Sequence, residues 1–405
     1  MKRDTLLVAG VAVVALFLFF NPVQYFTRAG KGMHRPQLPQ SSLSRLVQFA
    51  QASYQSPEDY VLGSFASHDI VFLGELYKIR QNVQLVSSLI PRLYAAGIRN
   101  LGVEYALSDD QREIDSLVNG VAWDEAKAEA IAFDWVVTWG FQEYVDIFHA
   151  AWQLNHELPR GYRPFRVLGL SVRQNWEYLR TDKDWANPTV VAKIFANGVP
   201  DQHMADVIEE QLVAKHEKGL IFCGMQHAFT SFQSAQYEKN AQILQLSETR
   251  RAGNIVYARI GSRAFSIALH APWPDPSSQT GLTWAADGAI DSMIAALPPA
   301  EQSAGFDARG TPLGALPVTT SSFARDAPQG TVLTLGDLFD GYIIQGPIAA
   351  YKPVTPIADF VKPAMAAQAL KEFPAAKPPS LTAEQANQAI ADDANAIQKL
   401  LTRFH

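Results

Sequence analysis

Residues 69–78 read DIVFLGELYK, and this stretch decides the fold. Ile70–Leu73 is an unbroken apolar run that ends at Gly74 and Glu75. A short strand that is apolar throughout, rather than alternating, belongs to a parallel sheet covered on both faces. The pattern then changes period. Ile79, Val83, Val86, Ile90 and Leu93 recur at spacings of 4, 3, 4 and 3, which is one face of a helix. Gly97 closes it in the manner of a C-terminal glycine.

The same alternation continues outward. NLGVEYA (100–106), FRVLGLS (165–171), GLIFCGMQH (219–227), NIVYARI (254–260), AFSIALH (264–270) and GYIIQG (341–346) read as strands, with helices near 109–118, 123–133, 141–157 and 201–217. The expected class is α/β: a mostly parallel sheet with helices on both faces, plus an N-terminal transmembrane helix and a C-terminal helix. In the C-terminal helix Thr382 and Gln385 have capping-box spacing, and Ile390, Ala394, Ile397, Leu401 and Phe404 form the stripe. The expected division is a membrane anchor or signal segment at 1–27, a Gly/Pro/polar linker at 28–42, the α/β domain at 43–271, a Pro-rich insertion or lid with little regular structure at 272–330, and the final strand and C-terminal helices at 331–405.

Composition narrows the function. The chain has 405 residues, 48% hydrophobic and 18% charged, with a formal net charge of −6. No basic block is present to neutralise phosphates, which disfavours a nucleic-acid partner. The lone Cys223 excludes an internal disulfide framework and a cysteine metal cluster. Thr5–Phe20 is uncharged and mostly apolar behind Lys2 and Arg3. A spanning helix needs roughly 20 residues, so the run is long enough only if Asn21–Phe26 complete it. A retained anchor with the main domain extracytoplasmic (periplasmic) is the expectation, a cleaved signal peptide the alternative.

In open parallel sheets, ligands bind beyond the carboxyl ends of the strands. There this sequence delivers Glu75, Glu104, Ser171 and His227. Ionisable groups directly after apolar runs are costly unless paired or bound to a ligand, and two close carboxylates push one pKa upward. Each residue alone has a plainer reading. Glu75 can open a helix, Glu104 can pair with Arg99 or Arg173, and His227 can be a buried hydrogen-bonded histidine. Ser171 lacks the glycine bracket of a nucleophile elbow. His203 is expected in the first turn of a helix facing solvent. Trp135 and Trp139, read as i, i+4 on a helix, are core. There is no HExxH, GxSxG, P-loop or GxGxxG.

The succession from IVFLGELYK through GIRNLGVEYALSDDQREID resembles the opening of the ChaN-like haem-binding uptake/Tiki superfamily, whose layout erythromycin-esterase-like proteins share. The matching residues are Gly74, Glu75, Glu104, Gln111 and Asp115. Trp135, Trp139, Gly140 and Tyr144 are similar to the family's Trp-x-x-x-Trp-Gly helix with its later Tyr. VPDQHMADVIEEQL resembles its Met-Ala helix, and Gly224 and His227 its late Gly-x-x-His strand. The resemblance spans roughly 65–270. Tyr77 stands where the family places histidine, Gln81 and Asn82 where some members carry further histidines, and Asp201 and Gln202 where an arginine is usual. The resemblance implies a divalent-metal protease site in Tiki-like members, ester cleavage in esterase-like ones and haem or iron binding in ChaN-like ones.

The expectation is therefore a hydrolase-type site, altered in activity, acting on a small-molecule or peptide ligand. Glu75, Glu104 and His227 would serve as catalytic groups or as ligands of a divalent metal. The alternatives are a non-catalytic haem- or iron-binding envelope protein, with Tyr77 and His227 as axial ligands, and a scaffold that keeps only the fold.

Overall fold

The structure is a computed structural model that describes residues 33–275 and 281–405. Among the described residues nine strands are formed: β1 (Ile70–Glu75), β2 (Asn100–Leu107), β3 (Arg166–Ser171), β4 (Gly219–Gly224), β5 (Ala264–Leu269), β6 (Trp273–Pro274), β7 (Leu282–Thr283), β8 (Ser303–Asp307) and β9 (Gly341–Gln345). Seven make one sheet in the order β3-β2-β4-β1-β5-β9-β8, and β6 and β7 pair separately. All neighbours in the large sheet run parallel except β8, which lies antiparallel to β9 at the edge. This is the α/β architecture expected from 69–78, with β1 at the centre.

The pleat explains the apolar runs. Val71 and Leu73 face one core, built with the helices Arg80–Ala95, Gln111–Val118, Glu125–Trp135 and Gln142–Glu157. Ile70 and Phe72 face the other, with the helices Pro200–Gln211 and Ala252–Ile260. Every residue of β1, β2 and β4 is buried. Successive strand residues point to opposite faces, so a sheet covered twice needs apolar residues at every position.

Four expectations are corrected. NIVYARI (254–260) is helical, within Ala252–Ile260. Asn254 accepts from the Arg251 N–H at the start of that helix, and Ala264–Leu269 takes the place beside β1. A short apolar run does not by itself distinguish buried helix from buried strand. The Pro-rich 272–330 segment supplies edge strand β8 and the helix Ala289–Ala296. That helix packs its Ile290, Met293 and Ile294 with Leu46 and Ala50 of a helix, Gln40–Ala52, that begins inside the expected linker. Trp135 ends its helix and Trp139 lies in the turn beyond, so the two are not one helical face, although both are buried with rings 4.7 Å apart.

The expected single-pass, extracytoplasmic membrane placement is also corrected. No helix among the described residues is long and apolar enough to cross a membrane. The longest, Ala383–Leu401, is amphipathic and carries Glu384, Asp392, Asp393 and Lys399. The segment on which the anchor was read, 1–27, lies outside the described residues. The C-terminal helix itself forms as expected, capped reciprocally by Thr382 and Gln385.

Gly74 sets how closely the turn after β4 meets β1. A Cβ there would stand 2.9 Å from the Met225 Cα and 3.0 Å from the Ala228 Cβ. Gly74→Ala is therefore expected to lower unfolding free energy in urea by about 1–3 kcal/mol through overpacking. Gly63→Ala, whose Cβ would meet only the Gln55 side chain at 3.8 Å, is the control and should be neutral or stabilising by up to about 1 kcal/mol in its helix.

Candidate functional site

Glu104 is the hub. β2 pairs with β4 only as far as Val103–Phe222, and its register with β3 breaks between Val103 and Leu107. Such irregularities re-aim side chains at a sheet rim. The Glu104 carboxylate accepts the Gly224 N–H at 2.7 Å from β4. The Tyr77 hydroxyl donates to it from just past β1, with its oxygen 2.9 and 2.8 Å from the two carboxylate oxygens. Tyr77 can lie so close only because residue 224 is glycine; a Cβ there would collide with the phenol.

His227 arrives in the turn after β4. Its Nε2 is 3.4 Å from Glu104 Oε1 and its Nδ1 is 2.6 Å from Asp201 Oδ1. Asp201, in the first turn of the helix Pro200–Gln211, also accepts the Ala252 N–H at 2.8 Å, the Tyr237 hydroxyl at 2.9 Å and Arg251 at 3.3 Å. Arg251 lies over the Tyr237 ring, 3.4 Å from its centroid, and donates to Gln226. Basic and acidic side chains thus alternate along Arg251, Asp201, His227 and Glu104. Burial would raise the Asp201 carboxyl, but His227 and Arg251 outweigh it and hold the group well below the usual range. Burial would lower His227, but the Asp201 and Glu104 carboxylates outweigh it and the imidazole is raised above its ordinary value.

Glu75 has a different setting. Its Oε1 accepts from the Tyr144 hydroxyl at 2.8 Å, and Tyr144 in turn accepts the Lys78 N–H at 3.0 Å. Its Oε2 is buried with no hydrogen-bond partner. Burial pushes this carboxyl well above its usual range; the Tyr144 hydrogen bond opposes the shift, the Glu104 charge adds to it, and Lys78 opposes it. Lys78, at φ +70°, is buried between the Trp139 and Phe141 rings and pairs with Asp393 of the C-terminal helix. That helix also packs Ile397, Leu400 and Leu401 with Ile79, just after the site's first loop.

The structure brings Glu104, His227 and Tyr77 into one hydrogen-bonded and ionic cluster, with Glu75 close enough to perturb Tyr77 electrostatically. Ser171 hydrogen-bonds the Glu104 carbonyl. Gln111 and Asp115 serve the scaffold: Gln111 bonds Asp115, the Val167 carbonyl and the Gly169 N–H. His203 is half-buried against the Ser108 hydroxyl at 2.7 Å. Sequence reasoning missed the roles of Asp201, Arg251, Lys78 and Asp393. An acid directly after Pro200 at a helix start was a signal for Asp201; Arg251 and Asp393 carried none.

The donor set does not suit a metal. Among the described residues, no group of three or more His, Cys, Asp and Glu is placed to hold one, and both Glu104 oxygens are taken by the Tyr77 hydroxyl. Ferric haem fits no better. The Tyr77 hydroxyl is already engaged with Glu104, and both ring nitrogens of His227 face carboxylates.

No family model matches the chain, and no curated protein does. Solved structures match. A protein from Bacillus cereus is similar at 13% identity with TM-score 0.50, covering 79% of this chain and 99% of that one. An erythromycin esterase mutant in its open conformation is matched at 12% identity and TM-score 0.43, covering 70% and 91%. ChaN of Campylobacter jejuni, titled for cofacial haem binding, is matched at 14% identity and TM-score 0.35, covering 54% and 88%. The likeness to the Bacillus cereus protein is one of fold alone; none of these matches shows ester or haem chemistry in this chain.

Two predictions follow from the charges. A histidine raised in the folded state adds stability that is fully present below about pH 6.5 and lost as pH rises through its folded value. In Asp201→Asn the burial of His227 remains and its main opposing charge goes, so its NMR titration midpoint should fall from above the ordinary value to below it. Asp393→Ala leaves Lys78 buried without its partner and should cost about 3–5 kcal/mol in urea unfolding, whereas Lys78→Met with Asp393→Leu should recover most of that loss.

Proposed function

We propose that the chain is a hydrolase of acid–base type, acting without a metal on small acyl esters at the C-terminal edge of the sheet. The observation that carries this reading is the seat of His227, 2.6 Å from Asp201 and 3.4 Å from Glu104, beside a Glu75 whose carboxyl burial pushes well above its usual range. Two carboxyl groups with divergent environments divide the labour of base and acid. Glu104, hydrogen-bonded by the Tyr77 hydroxyl and the Gly224 N–H, is the base. His227, held as imidazolium by Asp201, gives its proton to the leaving alkoxide. Glu75 is a second proton store, with its Oε2 unpartnered. Asp201 is a positioning residue that fixes the imidazole and its charge. Where the resembling family places histidine, a phenol here fills the space against Glu104, and an altered activity follows from that.

The haem reading is not favoured, since both ring nitrogens of His227 face carboxylates and the Tyr77 proton is held by Glu104.

The test is hydrolysis of a panel of para-nitrophenyl and alkyl esters by the full chain and by Glu75→Gln, Glu104→Gln and His227→Ala. Turnover above background is expected, falling by roughly 10²–10⁴-fold in Glu104→Gln and His227→Ala, with unchanged folding by circular dichroism. Wild-type protein that cleaves no ester, or variants that cleave as well as it does, would refute the proposal.

A further inference from the structure

Glu104 lacks the arrangement expected of a base that activates water. Its oxygens already hold a hydroxyl proton, that of Tyr77, at 2.8 and 2.9 Å. A hydroxyl hydrogen-bonded to a positioned base is the geometry of an activated nucleophile. Glu75, Glu104, Asp201 and His227 are all buried, while the Tyr77 residue is half-buried. Its ring is fixed edge-on against Trp139, centroids 5.8 Å apart, and its hydroxyl rests over Gly224, where any side chain would displace it.

We infer that Tyr77 is the nucleophile, forming a tyrosyl ester with the acyl group of the substrate while Glu104 takes its proton. The inference rests on the ester-hydrolase reading above. In the first step the Tyr77 oxygen bonds to the acyl carbon and its proton passes to Glu104. The bond to the leaving alkoxide breaks, and the alkoxide takes a proton from the His227 imidazolium. In the second step water attacks the tyrosyl ester and gives a proton to the now neutral His227. The Tyr77 phenolate leaves and recovers its proton from Glu104. The sum is ester plus water to acid plus alcohol, with every group restored.

The full chain is mixed with para-nitrophenyl acetate, quenched in acid and mapped by peptide mass spectrometry, and steady-state turnover is measured alongside. Acetyl on Tyr77 is expected, lost in Glu104→Gln, with turnover at least about 100-fold lower in a Tyr77→Phe variant that still folds by circular dichroism. Mapping the wild-type adduct does not depend on the variants folding; where no adduct accumulates, the turnover of Tyr77→Phe decides. Turnover that persists in Tyr77→Phe while it collapses in His227→Ala overturns this inference and leaves the hydrolase reading standing. Absence of turnover in the wild type overturns both.

Discussion

The structure depends on a constraint at one point: a carboxylate buried at the end of a covered strand must be fully partnered. Glu104 is 5% exposed. Taking a charge out of water costs several kcal/mol unless other groups replace the lost hydration. Its replacements come from three places in the chain: the Tyr77 hydroxyl after β1, the Gly224 N–H at the end of β4, and His227 in the turn beyond. Parallel pairing of β1, β4 and β2 is what lets these meet. The sheet must therefore be assembled before the charge is comfortable, and the charge in turn fixes the ends of those strands.

The electrostatics show why the site has more than one kind of carboxyl group. Asp201 touches His227 and Arg251 and stays ionised; Glu75 has a tyrosine hydroxyl and an apolar shell and is driven toward the neutral acid. Identical chemistry is thus separated by surroundings. Arg251 contacts Asp201 and Gln226 without touching Glu104 or Tyr77. The Lys78–Asp393 pair ties the C-terminal helix to the loop after β1, so an element remote in sequence shares the burial of Glu75.

Much of the fold is legible in single residues. Val71 and Leu73 against Ile70 and Phe72 announce a strand covered on both faces, and Thr382 with Gln385 announces the last helix. Glu104 and His227 are visible as ionisable groups directly after apolar runs. The misreadings share a cause. NIVYARI is short and apolar, and only the occupancy of the position beside β1 by Ala264–Leu269 decides that it is a helix. Pro-rich 272–330 reads as irregular because proline breaks local patterns, yet Ser303–Asp307 finds its partner in β9, an antiparallel edge that no local signal specifies.

By itself the sequence determined the period of most segments, and with it the α/β class and the arrival of Glu75, Tyr77, Glu104 and His227 at the carboxyl edge of the sheet. Only the tertiary structure decided what those groups are to one another. That Asp201 holds His227, that Tyr77 donates to Glu104 and that Asp393 reaches Lys78 are contacts between segments many residues apart. Local periodicity follows from the backbone's fixed geometry, whereas protonation and partnership follow from burial and distance, which exist only once the chain has closed on itself.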